Sequence, residues 1–331
     1  MKKFLSILSF LLIIGVYGYA QQKQSVGIDL IQSNVCVLDE WKKPGLYSPA
    51  NLFDGDMGTC FAEGDDGNRS GNGDDISCEI LFNKVINIDE IRIVNGFAKN
   101  DEYYYNNNRV LGLAISFSNN KQSRRYFAFE SYILNDTKEW QSLKFKKGYQ
   151  TDSITIRNDA NIIRSSNRCV NGSCSPIIKG KKYNDTCITE VEFYYQGKKV
   201  EIINPGQIKK NYIDQIQLNL TRFLSDKTYN IYFTTPDDYQ ISVCGVSSHK
   251  NGNFDFNNIK KNKYFSGDIK TYIPDMWKIE NSKLYMRLKG NWQLYKYYLK
   301  FGDENVYNPE NLYLYTMPFE GLPVGSEFDI Y

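Results

Sequence analysis

NLFDGDMGTCF, residues 51–61, places two carboxylates and two glycines between an apolar pair and a Thr-Cys-Phe run. The segment fits a turn between strands, a loop that holds a cation, or a pair of catalytic carboxylates. Calcium takes about six to eight oxygen ligands, which tight loops supply from carboxylates and backbone carbonyls. An EF-hand does not fit, because position twelve counted from Asp54 is Asp65 and position six is Thr59 instead of glycine. The residues of this segment alone leave the three interpretations open.

The segments around this loop carry the alternation of apolar and polar residues that is typical of half-buried strands. In LGLAISF (111–117), the four apolar residues Leu111, Leu113, Ile115 and Phe117 share one face. The same period of two recurs at Ile91 and Ile93, at Ile154 and Ile156, and at Val191, Phe193 and Tyr195. Loops rich in Gly, Asn and Asp separate these strands. Such short strands and loops predict an all-β fold, an antiparallel β-sandwich.

Three motifs in chain order resemble discoidin-type (coagulation-factor type C) domains. NLFDGDMGTCF is similar to their early loop, and KYNDTCITEVEFY (182–194) is similar to their closing strand. The middle segment IRIVNGFAKNDEYYYNNNRVLGLAISF (91–117) is most similar to one branch, the glycan-binding translocation module of NAD glycohydrolases. The resemblance covers about residues 26–200 and implies a discoidin-like antiparallel β-sandwich, a jelly roll, that binds glycan.

The resemblance also gives the acidic loop a role. In this family the early loop and the glutamate of the closing strand come together and often hold one calcium ion. Carried over to this chain, the resemblance implies a structural calcium held by Asp54, Asp56, Thr59 and Glu190. Such an ion would order a loop that conformational entropy otherwise leaves loose. The alternative is a branch of the family that keeps the loop without the metal.

Two aromatic loops are the candidates for ligand contact. Sugars present apolar C–H faces and polar edges, so their sites combine aromatic rings with amide, arginine or acidic partners. One loop supplies Trp41 and Tyr47, and the other supplies Phe97, Tyr103, Tyr104, Tyr105, Asn108 and Arg109. The alternative for each ring is packing within the core or loop, and for Arg109 it is support of the Asn-Gly-Phe turn at 95–97. We also expect at least one of the three consecutive tyrosines to face solvent.

Seven cysteines suggest disulfides, because six of them fall before residue 200 in a chain expected to be exported. Six cysteines allow 15 pairings, and we expect at least two bridges. Cys60–Cys78 is the first candidate, because the two residues flank the acidic loop. Cys169 and Cys174 lie in an insertion relative to the family and would bond to each other or to Cys187. We expect Cys244 to be a buried free thiol.

Histidine chemistry is limited because the chain has one histidine, His249. Histidine metal clusters are therefore excluded, and a Ser-His-Asp or Cys-His mechanism would depend on this residue. The close Cys-x-x-Cys pairs typical of zinc sites do not occur in the sequence. Pairs of carboxylates need no histidine, so glutamate-based hydrolysis stays open.

The N-terminus reads MKKFLSILSFLLIIGVYGYAQQ, with two lysines, a short apolar run and small residues before position 21. This pattern predicts a secretory signal peptide over residues 1–20. The segment carries two of the 40 basic residues and none of the 38 acidic ones, so the remainder is neutral. A neutral chain gives no electrostatic reason to expect nucleic acid as a partner. We expect a secreted or exported protein, with no membrane span after signal cleavage.

The pattern changes at Asn204-Pro205-Gly206. A stripe with helical spacing follows, at Ile208, Tyr212, Ile216, Leu220 and Leu224. Strand-like runs then continue to the end of the chain. We therefore predict a discoidin-like domain over residues 21–204 and a smaller, mostly-β domain with one helix over residues 205–331.

These observations favour an exported protein that recognises glycan or another extracellular surface ligand, with no catalysis. The first alternative is an extracellular hydrolase whose second domain is catalytic and whose first domain targets it. The second alternative is a structural envelope or adhesion protein.

Overall fold

The structure is a computed structural model that describes residues 23–33, 43–63, 76–119, 126–170, 172–225, 227–234, 240–258, 274–294, 298–301, 312–315 and 327–330. Strands dominate these residues, which confirms the predicted all-β class. The sandwich contains β1 (Ser25–Val26), β2 (Ile28–Ser33), a 3-10 helix (Pro49–Phe53), β3 (Phe61–Glu63), β4 (Ser77–Asn95), α1 (Asp101–Asn106), β5 (Asn108–Val110), β6 (Gly112–Ser118), β7 (Ala128–Ile133), β8 (Gln141–Asn158), α2 (Ala160–Ser165), β9 (Ile177–Ile178), β10 (Thr186–Tyr195), β11 (Lys198–Lys199) and β12 (Glu201–Ile202).

The two longest strands, β4 and β8, lie in the middle of a ten-stranded sheet with the order β7-β6-β8-β4-β10-β5-β9. β2 pairs with β4, while β3 and β11 pair with β10. The register between β4 and β8 shifts between Leu81 and Ile86 and again between Ile88 and Glu90. Such irregularities bend strands. The sheet therefore curls, and both halves of β4 contribute to one core.

That core contains the residues whose alternation predicted the strands. One buried cluster holds Ile91, Ile93, Leu113, Ile115, Phe117, Ile154, Ile156, Val191 and Phe193. Leu111 and Tyr195 are the exceptions: Leu111 precedes β6, Tyr195 ends β10, and both are only half-buried. Burial of each such side chain contributes roughly 1.5–3 kcal/mol relative to exposure. A shift by one residue in any of these strands would turn this set toward solvent.

One end of the sandwich gathers the loops that the sequence singled out. β10 begins beside the end of β4, with Ile188 opposite Asn95. The loop that contains Tyr47 joins the same end, because the Ala62 amide donates to the Tyr47 carbonyl. The Lys181 amide donates to the Tyr105 carbonyl and brings in a third segment. We call this end, formed by residues 43–60, 96–107, 134–140 and 179–185, the apex.

The predicted helix is α3 (Pro205–Leu224), and it packs on both parts of the chain. Its first half reaches the sandwich, since Ile208 belongs to the sandwich core and Lys209 Nζ donates to Asn51 Oδ1 at 2.8 Å. Its second half reaches the later part of the chain, since the Ser282 hydroxyl donates to Gln217 Oε1 and the Ser248 hydroxyl donates to the Leu224 carbonyl. The domain boundary at residues 204–205 stays a prediction.

The strands after α3 form three small antiparallel sheets. They are β13 (Lys227–Thr234), β14 (Gln240–Ser248), β15 (Phe254–Asn257), β16 (Met276–Glu280), β17 (Lys283–Leu288), β18 (Asn291–Leu294), β19 (Tyr298–Phe301), β20 (Leu312–Tyr315) and β21 (Glu327–Ile330). The sheet orders are β15-β14-β13-β21, β16-β17-β18 and β19-β20. Among the described residues, no helix has the length and apolar character needed to cross a membrane. The predicted signal peptide lies outside the described residues.

The cysteines correct two predictions, the Cys60–Cys78 bridge and the expectation of at least two bridges, because the described cysteines form one disulfide. Cys169 and Cys174 form a disulfide, but Cys60 and Cys78 are separate buried thiols. The reason is that β3 pairs with β10 and not with β4, which carries Cys78. Cys78 therefore lies in the sandwich core, whereas Cys60 lies in an apical cluster with Cys187. Cys244 is a buried free thiol, as predicted, and burial raises its pKa to about 11.

Candidate functional site

The helix α1 at the apex points its three consecutive tyrosines in different directions, because successive helical residues turn by about 100°. Asn100 begins the helix, and its side-chain oxygen accepts a hydrogen bond from the Tyr103 amide at 2.9 Å. Tyr104 is buried, while Tyr103 and Tyr105 are 36% and 45% exposed. The helix therefore anchors itself with one ring and presents the other two to solvent.

The anchoring ring belongs to an ion-pair network in which Tyr104 and Arg109 are buried and Asp136 is half-exposed. Arg109 Nε and Nη2 donate to the two carboxylate oxygens of Asp136 at 3.0 and 3.1 Å. The Tyr104 hydroxyl donates to the same carboxylate at 2.9 Å, and Arg109 Nη1 donates to the Asn107 carbonyl. The Arg109 guanidinium holds the pKa of Asp136 below its usual value. The network fixes α1 against the loop that connects β7 to β8.

A glycine makes room for this network. Gly96 has a φ of +71°, and a Cβ at this position would lie 2.7 Å from Arg109 Cγ and from Tyr104 Cε2. A side chain at residue 96 would therefore both strain the turn and displace the ring and the guanidinium. Arg109 therefore packs closely against the Asn-Gly-Phe turn, while its hydrogen bonds go to Asp136 and to the Asn107 carbonyl.

Asn108 holds the third apical segment. Its Oδ1 accepts from the Gly180 amide at 2.7 Å, and its Nδ2 donates to the Asn184 carbonyl at 2.9 Å. Two further amides, those of Lys182 and Tyr183, donate to the Asn106 carbonyl at the end of α1. Residues 179–185 are therefore tied to α1 by several hydrogen bonds.

The structure separates the eight candidate residues of the two aromatic loops. Tyr103 and Tyr105 are exposed. Tyr47 is half-buried against the cluster that contains Cys60 and Cys187, and Trp41 lies outside the described residues. The other four, Phe97, Tyr104, Asn108 and Arg109, are buried. This corrects the expectation of direct contact for those four. Their polar atoms are bonded within the protein, so they support the surface from below.

Other residues of the apex, which were not identified as candidates from the sequence, form the exposed surface. Tyr183 is 43% exposed beside the end of α1, and Lys99, Lys181 and Lys182 are also exposed. The segment KGKKYNDT next to the closing-strand motif was an available signal for Lys181, Lys182 and Tyr183. Asp136 had no such signal, because it lies 27 residues after Arg109, in the loop between β7 and β8.

The acidic loop is a compact turn held by its own side chains. Asp54 accepts hydrogen bonds from the Asp56 amide and from the Thr59 hydroxyl, at 2.9 and 2.8 Å. Asp56 in turn accepts from the Gly58 amide at 2.8 Å. Gly55 has a φ of +73°, which favours glycine at this position. The turn interpretation of the segment therefore holds for Asp56, whose carboxylate caps the loop.

Glu190 lies under this loop, against the Asp54 carboxyl. It is buried, and its Oε1 has no hydrogen-bond partner among the described residues. Burial, together with the neighbouring Asp54 carboxyl, raises the pKa of Glu190 to about 8; the amides of Gly55 and Asp56 act in the opposite direction. Two carboxyl groups in contact need a shared proton or a cation between them.

The oxygen ligands expected for calcium are thus only partly assembled. Asp54, Thr59 and Glu190 lie together, and their oxygens are of the kind that a hard cation prefers. Asp56 turns toward its own loop amide instead. Across the described residues, no group of three or more His, Cys, Asp or Glu side chains has an arrangement that could hold a metal ion. The unpartnered oxygen of Glu190 is the feature that fits an added cation.

Several solved carbohydrate-binding modules are similar to about half of this chain, at low identity and low TM-score. A pectin-binding module is 17% identical with a TM-score of 0.32, covering 52% of this chain and 94% of that chain. The CBM32 of AlyQ, in complex with 4,5-unsaturated mannuronic acid, is 14% identical with a TM-score of 0.30, covering 51% and 95%. The family 32 module of C. perfringens NanJ, in complex with galactose, is 14% identical with a TM-score of 0.32, covering 50% and 93%.

The family is established by a sequence model and not by these structures, whose similarity concerns the fold alone. No curated protein matches the chain. The family model described as the NAD glycohydrolase translocation F5/8 type C domain matches residues 27–194, just over half of the chain. The match includes the acidic loop, α1 with its ion-pair network, and the closing strand. The chain therefore belongs to the NAD glycohydrolase translocation F5/8 type C domain family.

Proposed function

We propose that this protein is exported and binds glycan through the apex of its sandwich. The observation that carries the proposal is the pair of exposed rings, Tyr103 and Tyr105, on a helix fixed by the network of Tyr104, Arg109 and Asp136. A ring held in one orientation loses little freedom when a sugar face packs on it. The family and the carbohydrate-binding type of fold support the same function.

The surface is suited to sugar because apolar and polar groups alternate across a small area. Tyr103, Tyr105 and Tyr183 offer flat faces for C–H groups, and the lysines between them offer donors for hydroxyls. One ring against a sugar contributes about 1–2 kcal/mol on an area basis. A single site of this kind binds weakly, so avidity would come from several copies on one surface.

We further propose that a calcium ion orders the acidic loop beside this surface. Asp54, Thr59 and Glu190 would hold the ion, with nearby carbonyls completing its shell. The unpartnered Glu190 oxygen and its contact with a second carboxyl support this assignment. The ion would supply charge neutralisation and rigidity, and no reaction is assigned to it.

A glycan array with the purified full chain tests the binding proposal. We expect the wild type to bind, and Tyr105→Ala to bind about tenfold more weakly. Tyr126→Ala is the matched control, because this ring is 50% exposed but precedes β7 at the opposite end of β6 from the apex. Equal loss in both variants, or no loss in Tyr105→Ala, would place the site elsewhere.

We propose that the protein binds its ligand without catalysing a reaction. The alternative that an experiment must exclude is a hydrolase. The family match ends before α3, so an activity of the NAD glycohydrolases does not follow for residues 205–331. Incubation of the purified chain with NAD and with each bound glycan, followed by product analysis, is the experiment. Release of nicotinamide or of a smaller saccharide would favour the hydrolase.

A further inference from the structure

The acidic and basic groups of the apex nearly balance, so any preference for a charged ligand depends on where individual groups lie. Asp101 is paired with Lys138, and Asp136 is paired with Arg109. Glu102 is exposed on α1 and acts through space on Lys182. The other charged residues of the apex are the acids Asp54, Asp56, Glu139 and Asp185 and the lysines Lys43, Lys99, Lys179, Lys181 and Lys182. Three of these lysines lie beside exposed tyrosines.

Three exposed lysines have the same placement, each over the ring of an exposed tyrosine. The distance from Nζ to the ring centroid is 4.9 Å for Lys99 over Tyr103, 5.5 Å for Lys181 over Tyr105 and 5.1 Å for Lys182 over Tyr183. Within the ranges that the structure describes, none of these three ammonium groups forms a salt bridge with a carboxylate. Each ring thus has a lysine ammonium group close to it, and the Lys182 ammonium also forms a hydrogen bond with Tyr183.

The three lysine–tyrosine pairs fit one chemical class of ligand. A pyranose ring that bears an anionic group could lay its C–H face on the tyrosine while the anion meets the ammonium. A neutral sugar would gain the ring contact alone and would have to displace or desolvate the lysine. Backbone hydrogen bonds from the amides of residues 181–183 to the carbonyls of Tyr105 and Asn106 hold the two segments that carry these residues side by side.

We propose that the apex selects acidic glycans, saccharides whose rings bear a carboxylate or sulfate, over their neutral counterparts. This inference rests on the proposed glycan binding and deepens it. Lys181 with Tyr105 is the first contact to test, because this ring is the more exposed of the two on α1 and also lies 5.8 Å from the Arg109 guanidinium carbon.

Pairs of saccharides that differ only in charge distinguish the contribution of charge to affinity from the contribution of ring contact. The purified full chain is titrated with an oligogalacturonide and with its methyl ester, and with a sulfated galactan oligosaccharide and its desulfated form. We expect the acid of at least one pair to bind about tenfold more tightly than its neutral form, with the gap narrowing as salt is raised. The pair that shows the gap identifies carboxylate or sulfate as the anion.

Variants then assign the preference to residues. Lys181→Gln combined with Lys182→Gln should abolish the difference in affinity between the acid and neutral forms, whereas Lys84→Gln combined with Lys147→Gln, an equal change in charge outside the apex, should leave that difference intact. Equal binding of acid and neutral forms, with loss of both in Tyr105→Ala, would overturn the inference and leave glycan binding standing. Binding of neutral array glycans with no binding of either acid would overturn it as well. If the chain binds no glycan, both the proposed glycan binding and the inferred preference for acidic glycans are wrong.

Discussion

Asp136 and Glu190 lie at the same end of the sandwich in opposite electrostatic environments. Asp136 is half-exposed and accepts hydrogen bonds from Arg109 and Tyr104, and its pKa is lowered. Glu190 is buried against the Asp54 carboxyl, and its pKa is raised to about 8. One carboxylate is balanced by a partner built into the chain. The other lacks such a partner and requires a proton or a cation.

The difference separates two ways of fixing a loop. The Arg109–Asp136 pair holds α1 permanently, because guanidinium and carboxylate stay charged across the physiological pH range. The Asp54–Glu190 contact leaves the acidic loop dependent on what the solution supplies. The ring-bearing helix is therefore preformed, while the neighbouring loop is conditional, and each arrangement is open to a direct test.

The largest loss of stability is expected when Asp136, the partner of Arg109, is removed. Asp136→Ala leaves the Arg109 guanidinium, whose side chain is 5% exposed, without its carboxylate. Loss of one partner of a buried ion pair costs about 3–5 kcal/mol, and the partial solvation of Asp136 places this case near 3 kcal/mol. The free energy of unfolding in urea measures it.

The control for that variant is Asp101→Ala. Asp101 pairs with Lys138 on the surface, where the two side chains are 73% and 42% exposed, and neither partner is buried as Arg109 is. Exposed pairs contribute little to stability, so the unfolding midpoint of this variant should stay within error of the wild type. Equal destabilisation by the two substitutions would show that this network is not what fixes the apex.

The same pair predicts a response to acid. Because the folded-state pKa of Asp136 is lowered, its contribution is complete above the unfolded value, about 3.9, and is lost as pH falls through the folded value. The difference in unfolding free energy between the wild type and Asp136→Asn should therefore be constant above about pH 5 and should shrink below about pH 4. Urea titrations at several pH values measure the difference. A gap that is unchanged at low pH would contradict this assignment.

These contrasts also show what the sequence could predict. Alternation at Leu113, Ile115 and Phe117 was sufficient for the strand, because a sheet with one buried face imposes a period of two. The stripe after Asn204-Pro205-Gly206 predicted α3 in the same way. Local periodicity does not reveal which element a helix packs against, so contact of Ile208 with the sandwich core came from the structure.

The candidate site was only partly predictable. Three consecutive tyrosines identified the right helix, but which ring is buried depends on the phase of a helix that FAKNDEYYYNNN did not predict. Arg109 was chosen as a ligand contact because its partner Asp136 is distant in sequence and no pattern links the two. The Cys60–Cys78 pairing failed for a similar reason, since the pairing of β3 with β10 is a tertiary fact.

The conditional loop predicts a response to calcium. If the ion occupies Asp54, Thr59 and Glu190, it stabilises the folded chain by about 2.7 kcal/mol when present at one hundred times its dissociation constant. The Tm of the wild type should rise in calcium relative to EDTA, and the Tm of Glu190→Gln should not. Asp136→Asn keeps the loop and should retain the shift. A wild-type Tm that is the same in calcium and EDTA would show that this branch keeps the loop without the metal.

The smallest effect sharpens the comparison within the built-in network. Tyr104→Phe keeps the buried ring and removes the hydroxyl that donates to Asp136. Because Arg109 still holds that carboxylate, the loss is one hydrogen bond, about 1 kcal/mol. Tyr105→Phe removes a hydroxyl from an exposed ring and should leave stability unchanged, so the difference between these variants measures the buried bond. In an Asp136→Ala background the acceptor is absent, and Tyr104→Phe should then cost almost nothing. If Tyr104→Phe still lowers the free energy of unfolding in that background, the hydroxyl bonds another partner, and the network includes more residues than Arg109 and Asp136.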